Sequence, residues 1–525
     1  RYSLWHFFRE IPPGWTFIGL RHKKKEHLGW VGVNWTDRRP KVGWLQRSLL
    51  LGFLCSLRAM SVLVVISMAP ALTGQTLLQV PGAEIVSLTT DTSRFSEPSI
   101  AVNPIPPHQI VVVFEANAHA FYSQDAGRSW KAADGIASPS YKHSGDVSVA
   151  FDNRGHAYIA YVGFDKLGTF NYWGHNTSRN GLFVQRTVDG GVTWEQPPSI
   201  VAEHANGPGI PLEDKPYIVS DTSNSRFAGN LYLGWTRWTL TDSRILLSRS
   251  TDGGQTWSPP VEIDNHPGLP RDDNGENDGF AGVVGPDGSL YAIWSQENGI
   301  FLTISRDGGK TFSRARQILR TAPLGFNLQT VDGANGFPQI AIDPRSQRLY
   351  VTWSDYRNGD VDVFCSTSTD GGKKWSAPIR VNDDPVHNGA DQFYQWLAVD
   401  PVSGAANVIF YDRRSDPENR LQTITLARST DGGRTFQNYA WTNSSFDATG
   451  VFLGDYTGLA AFGGRVYGAW TETIVPAAKT RNKIGDQDAT GAEKEEKPVR
   501  PTTVIKVGVA DFNVSRVGEL KGAQK

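Results

Sequence analysis

The sequence predicts an all-β fold, a β-propeller of four-stranded antiparallel blades, and three observations carry the prediction. An eight-residue turn is written six times at intervals of about sixty residues, the fixed period of a repeat architecture. Apolar strands of period two alternate with turns supplied by abundant glycine and proline (Gly 54, Pro 30). Paired apolar strands recur seven times, starting near Ser99, Val147, Tyr217, Ala281, Ile340, Leu397 and Leu459. Seven blades are therefore preferred, with six, the number of turns, as the alternative.

Taken from its start, the chain opens with residues 1–48, basic and Trp-rich without strand periodicity. They read as an unstructured extension or an over-extended gene start. Residues 49–74 contain two apolar runs, Leu49–Leu54 and Ser61–Ala71, and the small-residue stretch Ala69-Pro70-Ala71. This segment reads as a signal peptide or hydrophobic anchor, with the first favoured because Arg58 interrupts the span. Either reading places the remainder outside the cytoplasm: secreted, periplasmic or membrane-anchored. The propeller is assigned to 77–515. Within it, 476–501 is polar and charged (Lys479, Arg481, Lys483, then Glu493 to Lys497) and reads as a disordered insertion. Residues 516–525 form a tail.

The cleanest copy of the turn is Ser250-Thr251-Asp252-Gly253-Gly254-Gln255-Thr256-Trp257. The others centre on Asp125, Asp189, Asp307, Asp370 and Asp431. A carboxylate at the third position can accept hydrogen bonds from amides of its own loop. Glycine at the fifth position supplies positive φ. The closing Trp or Phe is expected to turn inward as a core plug. Each blade then reads as strands A, B and C, the turn, and strand D. Only six of the seven blades carry the turn. In the seventh, Val504–Val509 serves as strand C, and Leu77–Leu88 supplies strand D from the N-terminal side. Such closure limits exposed strand edges.

The six turns resemble the Asp-box, the BNR repeat of the sialidase superfamily, over about residues 80–512. The resemblance implies a rigid scaffold whose Asp-boxes are structural and lie on one rim. Long loops fall on the opposite face: Phe164–Gly181, Glu203–Glu213, Asp264–Asp278 and Arg320–Asn335. Functional residues favour such loops and the strand ends beside them. Strand B, aligned on its aromatic, gives a column there. Asp355-Tyr356-Arg357 follows Trp353, Asp412-Arg413-Arg414 follows Phe410, Arg237 follows Trp235 and Glu472 follows Trp470. Before strand A stand Glu97, Asp146, Asp214, Asp278, Asp391 with Tyr394, and Asp455 with Tyr456.

What the resemblance implies for these positions is a glycoside hydrolase of exo-α-sialidase type. Arginines (Arg357, Arg413, Arg414, Arg237) would grip a substrate carboxylate with bidentate geometry. A tyrosine would attack the anomeric carbon with carboxylates as partners. The catalytic candidates are Asp355, Tyr356, Asp412, Asp391, Tyr394 and Glu472, with Tyr411 and Tyr456 as further alternatives for the tyrosine. Ser96-Glu97-Pro98 stands where the family carries Arg-Ile-Pro. That departure supports the alternative, a non-catalytic propeller binding a glycan or a protein.

Composition excludes several classes. Lys+Arg 52 against Asp+Glu 53 gives a net charge of −1, which argues against a nucleic-acid partner. The expected partner is a glycan or glycoconjugate, with no strong membrane association of the propeller and a monomeric state. The two cysteines, Cys55 and Cys365, are not expected to form a disulfide. The histidines show no metal-ligand spacing. No cofactor is expected; the run from Asp272 to Asp278 offers oxygen ligands for Ca²⁺ but lacks EF-hand spacing and reads as a solvated loop. Phe170, Tyr172 and Trp173 can stack on a sugar or pack their loop onto the disc.

Overall fold

A computed structural model describes residues 77–514 apart from 91–93, 116–117, 137–140, 273–274, 323, 325–327, 329, 332 and 475–500. The expected N-terminal extension, signal segment and tail lie outside the described residues, as does almost all of the expected insertion. The described chain forms seven antiparallel sheets, each built on four strands. Blade I runs Ser99–Val102, Ile110–Phe114, His119–Ser123 and Lys131–Ala132. Blade II runs His143–Phe151, Ala157–Phe164, Asn180–Thr187 and Ser199–His204. Blade III comprises Leu212–Ser220, Leu231–Trp238, Ser243–Ser250 and Val261–Glu262. Blade IV comprises Asn277–Val284, Leu290–Gln296, Gly299–Ser305 and Arg316–Arg320. Blade V follows with Gln339–Asp343, Arg348–Asp355, Asp362–Ser368 and Ile379–Arg380. Blade VI has Gln392–Val399, Ala406–Asp412, Leu421–Ser429 and Gln437–Ala440.

Blade VII explains why seven blades carry six turns. Its strands are Gly458–Phe462, Arg465–Ile474 and Thr502–Asp511, and its fourth, Glu84–Ser87, comes from the N-terminal side. No C–D connection exists there to hold an Asp-box. The closing segment is shorter than expected. Leu78–Gln79 instead runs parallel to Tyr439–Ala440 on the outer edge of blade VI, so the incoming chain seals two neighbouring sheets.

The turns behave as their chemistry requires. In the copy at Asp252, Ser250 Oγ donates to the carboxylate at 2.7 Å and receives the Gly254 amide at 2.9 Å. The Thr256 amide and hydroxyl donate to the two carboxylate oxygens at 3.0 and 2.5 Å. Gly253 and Gly254 both take positive φ, 74 and 82. The closing aromatics depart from expectation: Trp194 is buried, whereas Trp130, Trp257, Phe312, Trp375 and Phe436 are half-buried at blade edges. A turn on the rim gives its last residue only one blade face to cover.

The apolar core instead lies between blades, along strand B. Trp235, Trp294, Trp353, Phe410 and Trp470 occupy one register and are fully buried. Cys365 is buried and free of any disulfide. Because the Asp-boxes join C to D, the B–C and D–A connections fall together on the opposite face.

Candidate functional site

The innermost strands of four blades share a local irregularity. Their pairing slips between Gly145 and Ser148, Asp214 and Tyr217, Asp278 and Ala281, and Phe393 and Trp396. Each bulge leaves a residue in the left-handed region: Asp146 at φ 48, Lys215 at 49, Gly279 at 70 and Tyr394 at 50. Glu97 sits at φ 56 just ahead of the first strand of blade I. Such a conformation costs on the order of 1–3 kcal/mol for a residue with a Cβ. Bulges of this kind re-aim side chains. Here they place Asp146 and Lys215, joined by the left-handed Glu97, on the wall of a cleft of about 650 Å³.

Six carboxyl groups line the cleft: Glu97, Glu115, Asp146, Asp214, Asp272 and Asp455. Among the described lining residues the one cation is Lys215. Its Nζ lies 3.0 Å from Asp455 Oδ2, 3.5 Å from Asp214 Oδ2 and 3.8 Å from Asp278 Oδ2. Burial alone would discharge this lysine, but Asp214, Asp455 and Asp278 outweigh it and push its pKa well above the ordinary value. Below the cleft, Tyr217, Trp396 and Tyr456 stand with successive ring centres 5.8 Å apart. They narrow the channel to a void of about 40 Å³.

The carboxyl groups differ in their surroundings. Burial, then Glu115, Asp146 and Asp455, raise Glu97 well above the usual carboxyl range, with Lys215 opposing. Burial also raises Glu115, against hydrogen bonds from Ser96 and from the Glu97 carboxyl itself. Asp146 is raised well above its ordinary value by burial first and by Asp214, Glu115 and Asp455. Asp278, directly behind, is pushed up to about 6, chiefly by burial, with Lys215 opposing and Asp214 adding. The Tyr456 phenol, raised by burial and by Glu97, donates to the Val147 carbonyl at 3.1 Å.

The strand-B column goes elsewhere. Trp353 Nε1 donates to Asp355 at 2.8 Å and Trp470 Nε1 to Glu472 at 3.3 Å. These carboxylates, two residues past a buried indole, lie on the indole's own side of the strand and satisfy it. Arg357 pairs sideways with Asp355, Arg237 with Glu213 and Lys506 with Glu472. Arg414 binds Asp412 at 2.6 Å and also reaches Asp383. Arg413 is fully buried, donating to the Asn419 carbonyl at 2.8 Å and Thr330 Oγ1 at 3.0 Å. Asp391 accepts the Val361 amide at 3.0 Å and the Asn419 side chain. Tyr356 points to solvent at 50% exposure, and Tyr394 packs against Phe393 and Tyr411 beside the lower void. None of the ten catalytic and substrate-binding candidates lines the acidic cleft. The carboxylates set before strand A do converge there, save Asp278 behind it and Asp391 outside it. Lys215 and Glu115 were missed. For Lys215 the signal was a proline one step later, Lys215-Pro216, in the same position as Glu97-Pro98; Glu115, followed by alanine, carried none.

Among the described residues, no group of three or more His, Cys, Asp or Glu side chains has the geometry to hold a metal ion. The six carboxyl groups face Lys215 and one another instead.

The repeat found by comparison with known families agrees with this architecture. The BNR/Asp-box repeat profile matches residues 248–259, and the MbtH-like protein profile matches residues 1–43, outside the described chain. A sialidase of Bacteroides fragilis (strain YCH46) is 26% identical over 166 residues, 27% of this chain and 30% of that protein. A xyloglucanase of Hypocrea jecorina (strain QM6a) is 32% identical over 126 residues, 23% of this chain and 13% of that protein. The match therefore spans less than a third of either relative's length. Among solved structures, the phage phi92 endosialidase has a TM-score of 0.46 at 11% identity, covering 84% of this chain and 71% of its own.

Proposed function

We propose that this sialidase-like Asp-box propeller is a glycoside hydrolase for uncharged glycans, working in the acidic cleft. The observation that carries the reading is the presence of two kinds of carboxyl group in one pocket. Burial and like charge raise Glu97 well above the usual carboxyl range, whereas Asp455 faces the Lys215 ammonium at 3.0 Å. Pushing carboxyl pKa values apart is how glycosidases separate acid from nucleophile or base. Glu97, relayed by Glu115, donates its proton to the leaving oxygen. Asp455 stays anionic beside the developing positive charge or activates water. Two relatives named for glycan hydrolysis, the sialidase and the xyloglucanase, support the substrate class.

The finer choice of an uncharged sugar rests on the lining. A sialoside carboxylate needs cationic groups free to grip it, and Lys215 already serves three carboxylates. The sideways pairing of Arg357 and Arg414 favours one second reading, a propeller that binds glycans without cleaving them. The proposal also places the domain outside the cytoplasm, on the apolar runs between 49 and 74.

The test assays the full chain against neutral aryl glycosides (arabinofuranoside, xyloside, glucoside, galactoside) and an aryl sialoside. Turnover of a neutral glycoside is expected, and Glu97→Gln and Asp455→Asn should each lower kcat by roughly 10²–10⁴. Preference for the sialoside would sink the choice of uncharged substrate. Glycan binding without turnover of any glycoside would decide for the second reading.

A further inference from the structure

We propose that the cleft continues into a second sugar subsite beside blade II, so that the protein takes an internal stretch of a glycan chain instead of one terminal residue. This rests on the hydrolase reading above and extends it to the length of substrate. A second cavity of about 560 Å³ adjoins the first, lined also by His143, Ser144, Asp165 and Lys166. The two cavities share Glu115, Phe164 and Leu167. Each falls within the size of an ordinary small-molecule site, about 300–1,000 Å³, so the pair exceeds what a single sugar ring fills. Glu115, which hydrogen-bonds to the Glu97 acid, stands at the junction. A scissile bond placed there has sugar on both sides.

The wall that joins the subsites is the connection from Phe164 to Asn180. It presents large apolar surfaces to water, with Phe170 69% and Leu167 41% exposed. The C–H faces of sugar rings pack on such surfaces, while the Asp165 and Lys166 side chains supply an acceptor and a donor for hydroxyl groups. The wall is built rigid, which limits the entropy lost on binding. Trp173 Nε1 donates to the Asp272 carboxylate, the Asp272 amide to the Asn171 carbonyl at 3.1 Å, and His175 meets the Leu240 carbonyl at 3.0 Å. At Gly168 a Cβ would fall 1.8 Å from the Trp173 carbonyl oxygen, so backbone lies directly against backbone.

The experiment uses the full chain with arabinan, xylan, xyloglucan, β-glucan and mannan, together with their oligosaccharides of one to six units. The expected result is a fall in viscosity ahead of reducing-end release on one polymer. In a His143→Ala/Lys166→Ala double variant, KM for the hexasaccharide should rise roughly fivefold or more relative to KM for the aryl monoglycoside. Release of single sugars from chain ends, or a parallel change in both KM values, would overturn the proposal and leave the hydrolase reading standing. If no substrate is turned over, affinity electrophoresis in the same polymers still reads the extended cleft. Retardation of the wild type that the double variant relieves supports it; unretarded migration overturns it.

Discussion

Asp278 shows how a single buried carboxyl couples the site to stability. Its Oδ1 accepts the Thr236 hydroxyl at 2.5 Å and the Gly279 amide at 2.8 Å, and its pKa is pushed from 3.8 to about 6. The folded state therefore holds this proton more tightly than the unfolded chain. Its stabilising contribution is complete below pH 3.8 and is lost as pH rises through about 6. Asp278→Asn keeps the acceptor and removes the titration. The stability lost between pH 4 and pH 7 should shrink by up to about 3 kcal/mol in the variant, as read by urea unfolding at both pH values. Parallel wild-type and variant profiles would refute the assignment. The same scale explains why the strand-B candidates lie outside the acidic cleft. A carboxylate two residues after a buried Trp has an indole N–H to satisfy, and Asp355 and Glu472 do that. In a sequence such a residue is indistinguishable from one that meets a substrate.

At the level of the element, the Asp-box is a self-contained hydrogen-bonded unit. At Asp307, burial would raise the carboxyl, but the Thr311 side chain and amide, Ser305 and the Lys310 amide together hold it at about 2. A lowered pKa gives stability that is present above 3.8 and lost as pH falls through about 2. Asp307→Ala should cost about 1–2 kcal/mol at pH 7, as loss of a capping acceptor does. It should also lessen the fall in melting temperature on acidification from pH 4 to pH 2. A variant as stable as wild type at pH 7 would show that water replaces the carboxylate at no cost. The boxes were legible because the hydrogen bonds to their central carboxylate and first hydroxyl lie within eight residues. The bulges were not, because a bulge is defined by the strand opposite: Asp146 and Lys215 are bulged only relative to Val162–Ala160 and Thr236–Gly234.

At the scale of the molecule, ring closure rests on one short strand. Glu84–Ser87 pairs with Lys506–Val509, and Leu88 donates its amide to Ile505 at 2.9 Å. Replacing Ile85 and Val86 with proline removes two amide donors and bares the edge of Thr502–Asp511. That variant should unfold at lower denaturant concentration and aggregate, while a Leu78→Pro change at the shorter seam on blade VI should have the smaller effect. Equal unfolding midpoints would show that the ring does not depend on this strand. The sequence by itself determined the blade and its repeat, because the strand pairs and the Asp-box are local and recur with the chain; it favoured seven copies over six, and the structure decided for seven. The sequence also determined which strand from the N-terminal side had to complete the seventh sheet. Only the tertiary structure decided the site. Glu97, Glu115, Asp146, Lys215, Asp272 and Asp455 come from five blades and up to 358 positions apart, and only the closed ring brings their charges into one cleft.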